Sequence, residues 1–180
     1  MNCSPLDHSL NILELPLHVV TQDLGIDGLK ERLVSEVDQK DWLDSEKHLI
    51  AQSIDLATII HQGSMRGDMP YTTHLLRVAN RICSKNHFNI DDPEMVIAAL
   101  LHDSVEDNPE AYSSLLQNTN NSHAREHALY SLSLLFSPRV AELIGSVTNP
   151  DFPSDISKNE KTFYTKSMLG IRYILVKVPV

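Results

Sequence analysis

The sequence predicts an all-α protein made of one helical domain. Between residues 28 and 149, apolar residues recur at intervals of three and four positions, the spacing that places them on one face of a helix. Glycine is scarce, at six of 180 residues, and neither an internal repeat nor a linker between domains is visible. A chain of this length can bury a core of its own. One helical domain is therefore the economical interpretation.

The chain is predicted to begin with a loosely attached arm, residues 1–22. Pro5 and Pro16 interrupt this arm, and its apolar residues keep no sustained period. The domain itself is assigned to residues 23–180. Its first helix is predicted from Gly28 to Lys40, with four apolar residues at helical spacing: Leu29, Leu33, Val34 and Val37.

The second predicted helix opens at Ser45 and Glu46, and its buried face ends in a histidine. The residues of that face are Leu49, Ile50, Ile54, Ala57 and His61. A loop marked by Gly63, Gly67 and Pro70 follows. The next helix is predicted from its apolar positions, which are Leu75, Val78, Ala79 and Ile82.

Another helix is predicted to start at Asp92 and Pro93, because Asp caps helices well and Pro is tolerated at the first helical position. It runs through VIAALL to His102. Further helical runs are expected up to Asn149, broken by the polar NTNNSH segment and by Pro138. The last clear apolar face consists of Val140, Leu143, Ile144 and Val147. The tail ends in IRYILVKVPV, which is β-branched and permits no assignment.

Composition limits the partners. Fifteen Lys and Arg against 24 Asp and Glu give a formal charge of -9, which repels a nucleic-acid backbone, and no basic run offsets it.

No apolar run approaches the length that crosses a bilayer, and the first residues lack the features of a secretory signal. Two cysteines are too few for a disulfide framework. A cytoplasmic protein is expected, with a small-molecule nucleotide as partner rather than a nucleic acid polymer or a membrane. Composition leaves the oligomeric state open.

A polar cluster follows the apolar run VIAALL and contains His102, Asp103, Glu106 and Asp107. Carboxylates beside a core helix need a cation or a shifted pKa, because burying them ionised and unpaired is costly. His74, on the preceding helix, offers a second imidazole. These residue types suit a divalent metal ion. A solvated helix end with a core histidine is the alternative, and spacing alone does not decide between the two.

Three segments, HQGSMRG, PYTTHLLRVA and AALLHDSVEDN, occur in an order that is more specific than any one of them. Together they resemble the hydrolase domain of the RelA/SpoT family and its small stand-alone relatives, which remove pyrophosphate from guanosine tetraphosphate. FSPRVAELIGSVTN resembles the stretch of that domain after its HD motif. The resemblance covers about residues 50–149 and implies a single helical bundle of the HD-domain type.

The resemblance also implies roles for individual residues. His74, His102 and Asp103 match the metal ligands, and Glu106 and Asp107 match the acidic pair at the reaction centre. The expected cofactor is a divalent ion, manganese first, with magnesium, iron or zinc as alternatives. Such an ion activates water and offsets charge on phosphorus, while the acidic pair orients that water and handles its proton. The expected activity is the metal-dependent hydrolysis of a nucleotide polyphosphate.

Three residues near this set have less specific roles. Arg66 matches the basic residue of the nucleotide-binding loop, where a planar guanidinium clamps a phosphate or stacks on a base. A solvent-exposed loop cation is the alternative for Arg66. Tyr71 is expected to pack in the core with its hydroxyl satisfied, and His61 to support the site without binding metal.

Two features depart from the family pattern. Family members complete the metal shell with an aspartate in a segment of the form V-K-x-x-D-x-x-x-N, whereas this chain reads LVKVPV, with Lys177 aligned to the lysine. The HD domain is therefore expected to be cut short at its C-terminal end. Ser64 stands where glutamine is usual, which leaves guanosine specificity open. Two other functions stay open: a degenerate HD module that binds nucleotide or partner without turnover, and an HD nucleotidase that cleaves a different bond.

Overall fold

A computed structural model of the chain describes residues 11–112, 123–149 and residue 157. The chain divides into two compact units, Met1–Ser104 and Val105–Val180. The described part of each unit is built mainly of helices, so the predicted all-α class is confirmed for these residues. Some sequence predictions lie outside the described residues: those for Pro5, for residues 118–122 of the polar segment and for the tail that contains Lys177.

The described part of the first unit contains helices, one π-helical turn and a small hairpin. In chain order these elements are α1 (Leu17–Val19), the π-helical turn (Val20–Leu24), α2 (Gly25–Asp38), α3 (Asp44–Ile60), β1 (Met65–Arg66), β2 (Met69–Pro70), α4 (Tyr71–Cys83) and α5 (Pro93–Leu101). A short helix, α6 (Ser104–Asp107), begins with the last residue of this unit. Helix α4 packs against α2 and α5, and α5 also packs against α3.

Helix α5 forms the centre of the first unit. The side chain of Asp92 accepts a 3.2 Å hydrogen bond from the backbone N–H of Met95, and proline occupies the first turn, as the sequence predicts. Every residue from Val96 to Leu101 is buried, so the helix is apolar around its whole circumference. His102 and Asp103 follow its last turn directly. A buried helix therefore fixes the backbone from which these two side chains extend.

The described residues of the predicted arm, 11–22, are anchored to α2. Leu13, Leu17 and Val20 are buried. Arg32 of α2 is also buried, and its guanidinium donates hydrogen bonds to three backbone carbonyls of the arm, those of Ile12, Leu13 and Leu15. Apolar burial and polar contacts thus both hold this segment.

The loop predicted before α4 contains a short antiparallel hairpin. Strands β1 and β2 pair Met65 with Pro70 and Arg66 with Met69. Gly67, in the turn, has a φ of 64°, a conformation that residues with a Cβ rarely adopt. The hairpin leads directly into α4 and therefore places Arg66 beside the first turn of that helix.

The described part of the second unit consists of the end of α6, a 3-10 helix (Pro109–Tyr112), α7 (Ala124–Leu135) and α8 (Pro138–Val147). Helix α7 packs against α8 and against the 3-10 helix. Ser137 caps α8 by accepting a 3.1 Å hydrogen bond from the N–H of Val140. The buried hydrophobic residues in this part are Val105, Tyr112, Ala128, Leu132, Val140 and Ile144.

Two valines predicted on the apolar faces of helices are exposed, Val34 and Val147, each at 44%. Val34 lies about 140° around α2 from Leu29, at about 100° per residue, and so falls outside the face formed by its neighbours. Val147 is the last residue of α8. None of the helices in the described residues combines the length and apolar character that a membrane span requires.

Candidate metal centre

Three residues predicted as metal ligands converge beside the end of α5. His74 comes from α4, whereas His102 and Asp103 follow α5. Nε2 of His102 lies 3.1 Å from Oδ2 of Asp103, and Nε2 of His74 lies 3.6 Å from the same oxygen. One ligand atom from each residue lies within 4.8 Å of the other two. The three side chains could therefore hold a metal ion.

The separations fit a shared cation. Two ligand atoms that are each about 2.1 Å from one ion, at an angle of about 90–110°, lie roughly 3.0–3.4 Å apart. The observed N to O distances of 3.1 and 3.6 Å are close to that range. Two imidazole nitrogens and a carboxylate suit first-row divalent ions. The partial negative charge at the C-terminal end of α5 also favours a cation beside His102.

Hydrogen bonding orients the His102 ring. Its Nδ1 lies 2.8 Å from the carbonyl oxygen of Ala99, and since a carbonyl only accepts, Nδ1 carries the proton. In the neutral ring, Nε2 therefore carries a lone pair, which faces the carboxylate of Asp103. Nε2 and the carboxylate are then both hydrogen-bond acceptors, so a cation between them is needed to stabilise their contact. Burial lowers the pKa of His102, but the hydrogen bond and charge of Asp103 outweigh burial and raise that pKa overall. Either a proton on Nε2 or a metal ion bound to Nε2 would stabilise this contact.

Asp103 is held as an anion. Burial raises the pKa of its carboxyl group, but the hydrogen bond and charge of His102 and the hydroxyl of Tyr71 lower the pKa to about 2. The Tyr71 hydroxyl donates a 2.7 Å hydrogen bond to Oδ2. The expectation that this hydroxyl is satisfied is confirmed. Its partner is a candidate metal ligand, so Tyr71, which is only half-buried, contributes to the site as well as to packing.

Aromatic rings extend from the site toward α3. His61 is buried and stacks on Tyr71, with 4.8 Å between ring centroids and 10° between the planes. The Tyr71 ring meets His74 edge-on at 5.9 Å, and His74 meets His102 at 5.4 Å. His61 therefore contacts the site through Tyr71.

Arg66 lies at the solvent side of the centre. Its Nη1 is 3.9 Å from Oδ2 of Asp103 and 3.4 Å from the Tyr71 hydroxyl, while the side chain is 55% exposed. Burial lowers the pKa of His74, and the charge of Arg66 lowers it further, although Asp103 acts in the opposite direction. His74 is therefore a neutral imidazole near pH 7, the form that binds metal ions.

Glu106 and Asp107, the predicted acidic pair, lie in α6, within the second unit. The carboxylate of Glu106 accepts hydrogen bonds of 3.0 and 3.1 Å from the side-chain amide of Asn149 and one of 3.1 Å from its backbone N–H. Asp107 is exposed. Asn149 ends the GSVTN segment, and sequence reasoning did not identify it as a partner of Glu106.

No family model, curated protein or solved structure matches this chain. Function is therefore inferred from the residues of the site and from the sequence motifs that supply them.

Sequence reasoning also missed two arginines on α4. Arg77 and Arg81 line a pocket of about 240 Å³ together with Arg66, Thr73 and His74. A signal was present in the sequence, because residues three and seven positions after His74 share its face of a helix. Two arginines on an amphipathic helix look like ordinary solvated charges, so the position of His74 alone did not assign them a role.

Proposed function

We propose that this chain is a metal-dependent phosphohydrolase with the HD-type helical bundle, and that it cleaves a nucleotide polyphosphate. The convergence of His74, His102 and Asp103 beside the end of buried helix α5 carries this proposal. Guanosine tetraphosphate, which would lose its 3'-pyrophosphate, is the first candidate substrate. The resemblance of PYTTHLLRVA and AALLHDSVEDN to the RelA/SpoT hydrolase domain supports that choice.

His74, His102 and Asp103 would hold the ion. Manganese is the first candidate, and magnesium, iron and zinc are the alternatives, because imidazole and carboxylate ligands accept all four. When bound, such an ion lowers the pKa of a water molecule and offsets charge on the phosphorus.

The chain prepares this site before any ligand binds. The Ala99 carbonyl sets the tautomer of His102, so that Nε2 is the nitrogen available to a cation. The Tyr71 hydroxyl holds the carboxylate of Asp103 in place. Such supporting hydrogen bonds reduce the reorganisation that metal binding requires.

The acidic pair and Arg66 would act on the substrate. Glu106, whose carboxylate is held by Asn149, and Asp107 would orient the attacking water and accept its proton. Arg66, with its guanidinium exposed beside Asp103, would clamp a phosphate group. A net charge of -9 favours a small nucleotide over a nucleic acid polymer as the substrate.

Incubation of the purified chain with guanosine tetraphosphate and manganese tests the proposal, with phosphorus NMR to identify the products. Pyrophosphate should appear, and His102→Ala should abolish its release while retaining the helical circular dichroism signal. His87→Ala is the matched control, because His87 is exposed and lies outside the ligand group. Equal rates in the two variants would refute the proposal, as would the absence of phosphate or pyrophosphate release from any nucleotide tested.

A second candidate is a degenerate HD module that binds nucleotide or a partner without turnover. The ligand group found among the described residues contains three side chains, one fewer than the complete shell of the family that the sequence resembles. Elemental analysis separates the two candidates. Stoichiometric metal with turnover excludes the module, whereas nucleotide binding that survives Asp103→Ala without metal or turnover supports it. Identification of the bond that is cleaved distinguishes a pyrophosphohydrolase from an HD nucleotidase.

A further inference from the structure

A basic pocket adjoins the candidate metal centre within the first unit. It has a volume of about 240 Å³, and its lining includes Arg66, Thr73, His74, Arg77 and Arg81. Two of these residues belong to both places: His74 is in the metal-ligand group, and Arg66 lies 3.9 Å from Asp103. The pocket and the candidate metal centre are therefore directly adjacent.

Two of the three positive charges in this pocket, those of Arg77 and Arg81, have no ion-pair partner among the described residues, whereas Arg66 lies 3.9 Å from Oδ2 of Asp103. The lining contains three arginines and no Asp or Glu. Within the described part of the chain, the buried Nε of Arg77 also lacks a hydrogen-bond partner. Convergence of three guanidinium groups costs Coulomb energy, which an anionic ligand would reverse. In a chain with a net charge of -9, this concentration of positive charge indicates an anion site.

The geometry of α4 determines how the two arginines are arranged relative to His74. Arg77 and Arg81 follow His74 by three and seven residues, so all three lie on one face of α4. At 1.5 Å per residue, the two arginines begin about 4.5 and 10 Å farther along the helix axis than His74. Side chains on a helix lean toward its N-terminus, so the long side chains of Arg77 and Arg81 extend back toward His74, with which they line one pocket. One small molecule can therefore contact both the arginines and the metal centre.

We propose that Arg77 and Arg81 form an anion subsite that binds a second phosphate group of the substrate, one that is not cleaved. This inference rests on the proposed phosphohydrolase function and narrows its substrate class. A substrate must then carry at least two phosphate groups, one at the metal centre and one between the arginines. Planar guanidinium groups suit this task because each offers paired N–H donors to phosphate oxygens. A nucleoside monophosphate would leave the subsite unused and should bind weakly.

Isothermal titration calorimetry with inorganic pyrophosphate, in buffer that contains EDTA, tests the subsite without metal or turnover. The wild-type chain should bind pyrophosphate more tightly than orthophosphate. Arg77→Gln and Arg81→Gln should each weaken pyrophosphate binding about tenfold or more, because each removes charge-assisted hydrogen bonds. Arg81→Lys keeps the charge and should retain part of the affinity.

Two control variants make the result specific. Lys85→Gln removes one exposed positive charge four residues after Arg81, beyond the end of α4, and should leave pyrophosphate binding unchanged. His102→Ala should leave metal-free binding within about twofold, because the arginines rather than the metal ligands hold the anion. Absence of binding to wild type would overturn the subsite. An equal loss in Lys85→Gln and Arg81→Gln would overturn it too. If Arg77→Gln fails to fold, the wild-type and Arg81 measurements still decide.

Turnover separates this inference from the proposed function. Pyrophosphate binding that depends on the arginines, in a chain that hydrolyses no nucleotide, would refute the function and leave the subsite standing. If the chain hydrolyses the nucleotide but neither Arg77→Gln nor Arg81→Gln weakens pyrophosphate binding, the subsite alone is refuted. If both hold, Arg81→Gln should raise KM for guanosine tetraphosphate about tenfold while kcat stays close to wild type, since the lost contact is made equally in the ground and transition states.

Discussion

The hydroxyl of Tyr71 donates a 2.7 Å hydrogen bond to Oδ2 of Asp103, the oxygen that both candidate histidine ligands approach. Tyr71 is the first residue of α4, and Asp103 lies just beyond α5. This bond therefore ties the start of one helix to the end of another at the candidate metal centre. The same tyrosine stacks on buried His61, which fixes the position of its ring.

Tyr71→Phe should weaken manganese binding about tenfold or more, because loss of a hydrogen bond that orients a metal ligand has that effect. The ring and its stacking on His61 are retained, so the free energy of unfolding should fall by only about 1 kcal/mol. Titration calorimetry measures the affinity, and urea denaturation measures the stability. Tyr130→Phe, at a 59% exposed position, is the control and should change neither. Equal manganese affinities in the two variants would remove Tyr71 from the site.

Arg32→Ala should destabilise the chain by about 3 kcal/mol or more. The Arg32 side chain is only 1% exposed, and it holds three carbonyls of residues 12–15 and lies 4.0 Å from the Glu36 carboxylate. Its removal leaves those carbonyls and a buried carboxylate without their cation. Urea denaturation measures the loss, and limited proteolysis should show earlier cleavage near residue 15.

Arg32→Lys distinguishes geometry from charge. An ammonium group is a compact point charge and does not reproduce a planar fork that reaches several carbonyls, so the lysine variant should recover only part of the stability. Glu31→Gln changes the net charge by one unit, the same magnitude as Arg32→Ala with the opposite sign, at an exposed neighbouring position and should alter stability by less than about 0.5 kcal/mol. A lysine variant as stable as wild type would show that only the charge of Arg32 matters.

Asn149→Asp should destabilise the second unit by about 1–3 kcal/mol. The Asn149 amide donates to both oxygens of Glu106, and a carboxylate in its place offers no donor and repels Glu106. The backbone N–H of Asn149 still donates to Glu106 in the variant, so part of the contact is retained. Thermal unfolding above pH 7 measures the effect. Asn86→Asp, at an exposed site, is the control, and a matching loss there would show that the effect is one of net charge.

The sequence predicted the helices well because each depends on local information. Asp92 and Pro93 specify the start of α5 without reference to the rest of the chain. Pro138 was expected only to break the helical pattern, and in the structure it opens α8, which Ser137 caps. The burial of Arg32 is a feature that such local information does not predict. A basic residue on a helix is normally solvated, and its burial depends on carbonyls of a segment that has no clear periodicity.

The candidate site was predictable only in part. Motif order brought His74, His102 and Asp103 together as a hypothesis, and the structure places their ligand atoms close to one another. The roles of Ala99, as a backbone acceptor, and of Tyr71, as a donor, depend on side-chain directions that a sequence does not specify. Ring orientation and tautomer are set by tertiary packing, so supporting contacts of this kind require coordinates.

Cys83 should be nearly inert toward thiol reagents in the folded chain. Its side chain is buried, and burial is the main cause that raises the pKa of its thiol to about 11. At pH 8 the reactive thiolate is then only about one part in a thousand. The measurement uses Cys3→Ser, so that Cys83 is the remaining thiol of the sequence, and follows its reaction with Ellman's reagent. The reaction should be slow in buffer and rapid in guanidinium chloride.

Cys3→Ser combined with Lys85→Cys supplies an exposed thiol two residues away, which should react at once in the folded state. Rapid reaction of Cys83 in buffer would show that the α4 end opens readily, contrary to its complete burial between packed helices.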